Sequence, residues 1–104
     1  MNTIGRNDIK RMVEGEPLLA LSLYTPLCGT CQLARRMLVV LEQLFPDIPF
    51  CETDINYIPE QAAAWKIESV PCLLLFAGGE IIGKWYAFHS VPYLYEAIRA
   101  RLPR

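Results

Sequence analysis

Residues Leu18-Leu19-Ala20-Leu21-Ser22-Leu23-Tyr24 form an almost unbroken apolar run, and Cys28-Gly29-Thr30-Cys31 follows after Thr25-Pro26-Leu27. A surface strand alternates apolar and polar residues, whereas a run apolar on both sides reads as a strand covered on both faces of a sheet. This restricts the chain to layered α/β architectures with helices on either side of a central sheet. Beyond the cysteines, Leu33, Ala34, Met37, Leu38, Leu41, Leu44 and Phe45 recur at helical spacing until Pro46 stops the pattern. The C-x-x-C therefore sits where a central strand hands over to a long helix.

The flanking sequence fills in the rest. Asn7 or Asp8 is expected to cap a helix carrying Ile9, Met12 and Val13, which Gly15 and Pro17 end. Ile48–Asp54 reads as a strand, and Pro59 opens a shorter helix reaching Trp65. After Val70-Pro71, the runs Cys72–Phe76 and Ile81–Tyr86 form an antiparallel hairpin around Ala77-Gly78-Gly79-Glu80. Ser90 caps a last helix with Pro92 in its first turn, Val91, Leu94 and Ile98 inward, and Arg99 and Arg101 near its C-terminal end. The order is α-β-α-β-α-β-β-α. With 104 residues, no repeat and no linker, a single domain over 1–104 is expected.

Composition narrows the function. With 53% hydrophobic and 20% charged residues, the chain has too much apolar surface to stay unfolded. A net charge of −1 gives no general attraction for nucleic acid or anionic lipid, and no apolar run approaches the ~18 residues of a membrane span. No apolar segment precedes Arg6, so the expected location is the cytoplasm. Four cysteines are too few for a disulfide scaffold, and in a reducing compartment a C-x-x-C is redox-active or metal-binding rather than a permanent staple.

The chemistry of the pair follows from its place. A cysteine at a helix start meets free backbone N–H groups and the positive end of the helix dipole, which lower a thiol pKa by roughly one unit from ~8.5. Cys28 is thus the expected nucleophile. Cys31, one turn on and deeper, is suited to resolving a mixed disulfide. Zinc wants four ligands, so one C-x-x-C makes a site within the monomer improbable, although a dimer sharing two pairs could form one. Cys51 and Cys72 read as core residues on strands flanking the central one, about 9–10 Å apart and unable to bridge. Cys72 is expected to point away from the face that Pro71 presents. His89 is a lone imidazole expected at the surface or in a cap, and Trp65 and Trp85 are expected to pack.

Together, Cys28-Gly29-Thr30-Cys31, Val70-Pro71 and Phe76-Ala77-Gly78-Gly79 resemble the thioredoxin family in order and spacing over nearly the whole chain. The resemblance implies a thioredoxin fold with a central mixed β-sheet of four or five strands flanked by helices on both faces. It implies a cis Val70–Pro71 bond beside Cys28, with Leu27, Gly29, Thr30, Ser69, Val70, Pro71, Ala87 and Phe88 contacting substrate. The implied activity is thiol–disulfide exchange on disulfide-containing proteins by a monomer that needs no cofactor beyond its own Cys28–Cys31 disulfide. The implied electron donor is a thioredoxin reductase or a low-molecular-weight thiol.

The sequence also departs from the family pattern. Thr30 stands where thioredoxins usually have Pro, and Leu27 where they usually have Trp. Ser22 replaces the usual buried acid, and Phe50 or Cys51 falls where its lysine partner is expected. On this reading the proton relay for Cys31 is absent, and solvent or the substrate's leaving thiolate takes its proton, with slow turnover. Thr30 brings no positive charge, so the expected poise is that of a reductant or mild exchanger. The missing relay and Leu27 leave a second reading open, a binding or adaptor module without turnover.

Overall fold

The computed structural model describes residues 1–103. Among them the chain forms β1 (Asn2–Thr3), α1 (Arg6–Gly15), β2 (Leu18–Tyr24), α2 (Gly29–Leu44), β3 (Phe50–Asp54), a 3₁₀ turn (Ile55–Tyr57), α3 (Pro59–Ala64), β4 (Cys72–Ala77), β5 (Glu80–Trp85) and α4 (Val91–Arg101). The strands make one sheet in the order β1-β3-β2-β4-β5. β1, β3 and β2 run parallel, β4 is antiparallel to β2, and β5 is antiparallel to β4. The sheet is mixed, and Leu18–Tyr24 is its central strand.

Alternation along the strands divides the core into two layers. Leu19, Leu21 and Leu23 of β2 pack with Cys51, Cys72, Leu74 and Phe76 against Ile9 and Val13 of α1 and against Ile58. On the opposite face Ala20, Phe50, Leu73 and Leu75 meet Ala34, Leu38 and Leu41 of α2 and Leu94 and Ile98 of α4. Both layers are continuous because β2 is apolar on both sides. Ser22, Glu52, Thr53 and Asp54 are buried polar exceptions; alternation places Ser22, Glu52 and Asp54 on the α2 side and Thr53 on the α1 side.

Several boundaries differ from expectation for local reasons. Gly5, not Asn7 or Asp8, caps α1. Asp8 instead lies in the first turn, where its carboxylate favours the helix dipole and accepts from Arg11 at 3.0 Å. β3 begins at Phe50 rather than Ile48. Pro49 has no N–H to give, although its carbonyl accepts from Ala20 N–H at 2.9 Å. The helix opened by Pro59 stops at Ala64, with Trp65 as its C-cap, and β5 stops at Trp85. β1, only two residues long, carries no pattern that sequence reading could detect.

The hairpin turn holds Gly78 at φ 57° and Gly79 at φ 84°, a left-handed conformation that glycine adopts without strain. Gly83 has a different reason. A Cβ there would collide with the Trp85 indole, so the missing side chain leaves room for the ring over β5.

Candidate active site

β2 ends at Tyr24, and the backbone turns through Thr25-Pro26-Leu27 to Cys28, whose N–H donates to Thr25 C=O at 3.2 Å. Cys28 is the N-cap of α2 in extended conformation, and its sulfur accepts the Cys31 N–H at 3.2 Å. A sulfur holding the first free donor of a helix, with no carboxylate in the first turn to offset the dipole, favours a thiolate. The Thr30 hydroxyl also lies 3.2 Å from Cys28 Sγ. The Cys28 pKa is accordingly lowered, first by hydrogen bonding with the Cys31 side chain and next by the Thr30 hydroxyl.

Cys31 stands in the opposite condition. It is buried on the sheet side of α2, and burial pushes its thiol up to about 11, with the neighbouring Cys28 adding to the rise. One turn of helix therefore separates an accessible sulfur that ionises readily from a covered one that keeps its proton. Both are free thiols in this structure.

Two depressions adjoin the pair. One, of about 330 Å³, is a groove lined by Thr30, Leu33, Ala34, Met37, Pro71, Tyr86, Phe88 and His89. The Val70–Pro71 bond is cis, as the resemblance implies. Of the expected contact residues, Thr30, Pro71 and Phe88 meet in this groove, but Phe88 is largely a core residue at 6% exposure. Gly29, Ser69 and Ala87 are exposed on neighbouring segments, Val70 is half-buried against the α1 layer, and Leu27 is 99% exposed. Sequence reading missed Leu33, Met37, Tyr86 and His89. His89 is exposed as expected, but its ring sits edge-on to Tyr93 at 4.6 Å and faces the groove.

The other depression, of about 160 Å³, lies on the far side of Cys31 and is lined by Ser22, Tyr24, Thr25, Pro26, Cys31, Gln32, Arg35 and Glu52. Here the expectation of an absent acid fails. Ser22 does occupy the β2 position, but the parallel register sets Glu52 of β3 directly opposite it. The Glu52 side chain is only 10% exposed, and it accepts from Arg35 Nε at 2.9 and 3.2 Å. A buried carboxylate thus shares a cleft with the covered thiol, contributed by the adjacent strand. The residue paired across β2 and β3 was the missing signal, and it could have been found by aligning Ser22 with Glu52 rather than searching residues 50 and 51.

Cys51 and Cys72 are buried on the α1 side of the sheet, away from this site. Among the described residues, no three His, Cys, Asp or Glu side chains are grouped to hold a metal ion. No described helix is long and apolar enough to cross a membrane.

This geometry agrees with comparisons to known proteins. The family model described as Thioredoxin matches residues 5–99. The chain belongs to the thioredoxin family. It is 56% identical over 81 residues to the thioredoxin-like protein YusE of Bacillus subtilis, covering 78% of this chain and 76% of that one. It is 26% identical to the mitochondrial thioredoxin-3 of Saccharomyces cerevisiae over 74% of this chain and 61% of that protein. A thioredoxin structure from Halobacterium salinarum superimposes with a TM-score of 0.85 at 20% identity, over 99% of this chain and 91% of that one. The fold is the thioredoxin fold, and the adjacent Cys28 and Cys31 of this thioredoxin-family chain mark it as a thiol–disulfide oxidoreductase.

Proposed function

We propose that this thioredoxin-family protein reduces or exchanges disulfides of other proteins in the cytoplasm through the Cys28/Cys31 dithiol. The observation that carries the reading is the opposed pair of environments: an accessible sulfur that accepts the Cys31 N–H at the helix start, and a covered one whose burial pushes its thiol up to about 11. The cytoplasmic assignment is supported by composition, since four cysteines in 104 residues are too few for a disulfide scaffold and a C-x-x-C fits a reducing compartment. The family resemblance points to a thioredoxin reductase or a low-molecular-weight thiol as electron donor.

The Cys28 thiolate attacks one sulfur of a substrate disulfide. The substrate S–S bond breaks, a Cys28–substrate bond forms, and the first substrate sulfur leaves and takes a proton. Cys31 then loses its proton and attacks Cys28 Sγ, expelling the second substrate sulfur. The products are a substrate dithiol and a Cys28–Cys31 disulfide, which two electrons and two protons from the donor return to the start. A thiol pushed up to about 11 by burial needs help to ionise. Glu52, paired with Arg35 in the cleft it shares with Cys31, receives that proton directly or through water. The groove beside Pro71, lined mostly by apolar side chains, holds the chain flanking the substrate disulfide.

The test is reduction of an insulin-type protein disulfide with a regenerating thiol, comparing the native chain with Cys28→Ser and Cys31→Ser. The native protein turns over, Cys28→Ser does not, and Cys31→Ser accumulates a covalent mixed disulfide. Native-like turnover by Cys28→Ser would end this proposal. Equal partner capture by the native chain and Cys28→Ser, without turnover by either, would establish the binding-module reading instead.

A further inference from the structure

We propose that the exchange site continues into an apolar channel between α2 and α4 that holds about five extended residues of the substrate polypeptide beside its disulfide. The inference rests on the exchange chemistry proposed above and names its substrate class: unfolded or loosened chains with apolar residues next to cysteine. Leu33, Met37, Val40 and Leu44 follow one another along α2 at spacings of four, three and four, so they line one stripe of the helix. This is not the stripe that builds the core. Ala34, Leu38 and Leu41 are buried, whereas Leu33, Val40 and Leu44 are about half exposed and Met37 is half-buried.

The outer stripe joins two depressions. Its start, with Leu33 and Met37, lines the groove of about 330 Å³ that Thr30 and Pro71 border at the reactive end. Its far end, at Leu44, lines a second depression of about 350 Å³ whose other wall is Val91, Pro92, Tyr95 and Glu96 of α4. Met37 and Val91 both pack against the α2-side core layer, which leaves an apolar floor from one depression to the other. Arg36 and Gln43 beside the stripe and Glu96 across from it are exposed, so the apolar surface has a polar rim, as a binding surface does.

Length and position decide the occupant. Leu33 and Leu44 are eleven positions apart, which advances the helix by about 16 Å, and an extended chain rising ~3.3 Å per residue covers that distance in about five residues. Alternate side chains of such a segment face the channel, so apolar residues at every second position beside the cysteine fill it. A small thiol disulfide reaches only the reactive end. Folded proteins bury residues of this kind, so a chain that offers them next to an accessible disulfide is unfolded or locally open. A second copy of this chain laid along the stripe would cover Leu33 and Met37 and close the groove that exchange uses.

The experiment uses three substrates: glutathione disulfide, and two synthetic peptides whose single cysteine, flanked on each side by about six residues, is held as a mixed disulfide with glutathione. One peptide has leucine at every second position and the other has serine there. The second-order rate constant for reduction by the reduced protein is read for the native chain and for the variant Val40→Gln with Leu44→Gln. The native chain is expected to reduce the leucine peptide about tenfold faster than the serine peptide. The variant loses at least about fivefold on the leucine peptide alone, while the serine peptide and glutathione disulfide stay within twofold, which also shows that the variant is folded. Equal native rates for the two peptides, or an undiminished leucine preference in the variant, would overturn the proposal. So would a native chain that sediments as a dimer where the variant is a monomer, since the face then belongs to a second copy. If no substrate is reduced at all, the exchange reading falls, and fluorescence anisotropy of the dye-labelled peptides with the Cys28→Ser, Cys31→Ser chain decides the channel separately. Tighter binding of the leucine peptide, lost when the two glutamine substitutions are added, sustains it, and equal binding of both peptides removes it.

Discussion

Cys28 and Cys31 lie at the tip of α2, whereas Cys51 and Cys72 lie inside the sheet, and the same side chain behaves differently in the two places. At the helix tip a sulfur meets N–H and O–H donors, and the Cys28 thiol is lowered. On β4 a sulfur meets leucines and a phenylalanine, and burial pushes the Cys72 thiol up to about 12. Cys51 on β3 is raised by burial too, with Glu16 and Glu42 adding to the rise. Cys31 belongs to the active pair by position but resembles the core pair in its covering. Reactivity is thus assigned by the donors around a sulfur and by access to it, not by residue type.

The widest gap between the two pairs should appear in native-state alkylation. Attack needs both a thiolate and access, and the core pair gains access only by opening a structure whose stability is on the order of 5–15 kcal/mol. Iodoacetamide should modify Cys28 at least about a thousandfold faster than Cys51 or Cys72, with all four equalising in denaturant. Native labelling of either core cysteine within tenfold of Cys28 would erase the distinction.

The next effect concerns Cys31 and its dependence on the cleft. Replacing Glu52 with Gln keeps the size of the side chain and removes its charge. Resolution of a trapped mixed disulfide, followed by stopped-flow, should slow by about tenfold or more while Cys28 alkylation changes less than twofold. Equal resolution rates would show that solvent alone takes the Cys31 proton.

How much of this was legible in the sequence depends on the range of the interaction. The strand Leu18–Tyr24, the helix start at Cys28, the Ser90 cap and the Gly78-Gly79 turn are local patterns, and each appears where it was read. The core roles of Cys51 and Cys72 followed from the preference of free cysteine for burial and from their places on strands flanking the central one. Glu52 was missed because its function comes from sheet register, which pairs it with Ser22 thirty positions earlier and leaves no local signature. Phe88 was expected at the substrate surface from the family resemblance; it lines the groove beside Pro71 and also packs in the core cluster with Leu94 and Ile98. Thr30 was read for the charge it lacks, whereas its hydroxyl bond to Cys28 depends on side-chain geometry.

A smaller effect separates the pairs by stability. Serine at residue 72 would bury a hydroxyl among apolar side chains, and an unsatisfied buried polar group costs about 1–3 kcal/mol. Serine at residue 28 becomes an N-cap of a preferred type, so the change in unfolding free energy should be within about 0.5 kcal/mol of zero or favourable. Urea unfolding of the two reduced variants reads the contrast, and a Cys28→Ser variant destabilised as much as Cys72→Ser would contradict it.

The smallest effect lies in alkaline solution and follows from the direction of each shift. Cys72 is raised from 9.0 to about 12 and Cys31 from 9.0 to about 11, so each thiol stays protonated in the fold where the unfolded chain ionises. Their contribution to stability is complete below about 9 and is lost as pH rises through 11 and 12. Cys51 and Tyr24, both raised chiefly by burial, act on the same limb. Cys28, being lowered, acts in the other direction: its contribution is present above its unfolded value and is lost as pH falls through its folded one. Its exposure keeps that contribution small. Urea midpoints of the reduced protein should therefore fall as pH rises past about 9, and Cys72→Ala should flatten the fall by the share of one titrating group. Cys28→Ala should leave the alkaline fall almost as steep as in the native chain. If removing Cys28 flattened it as much as removing Cys72, the two sulfurs would titrate alike and their environments would not differ as the fold requires.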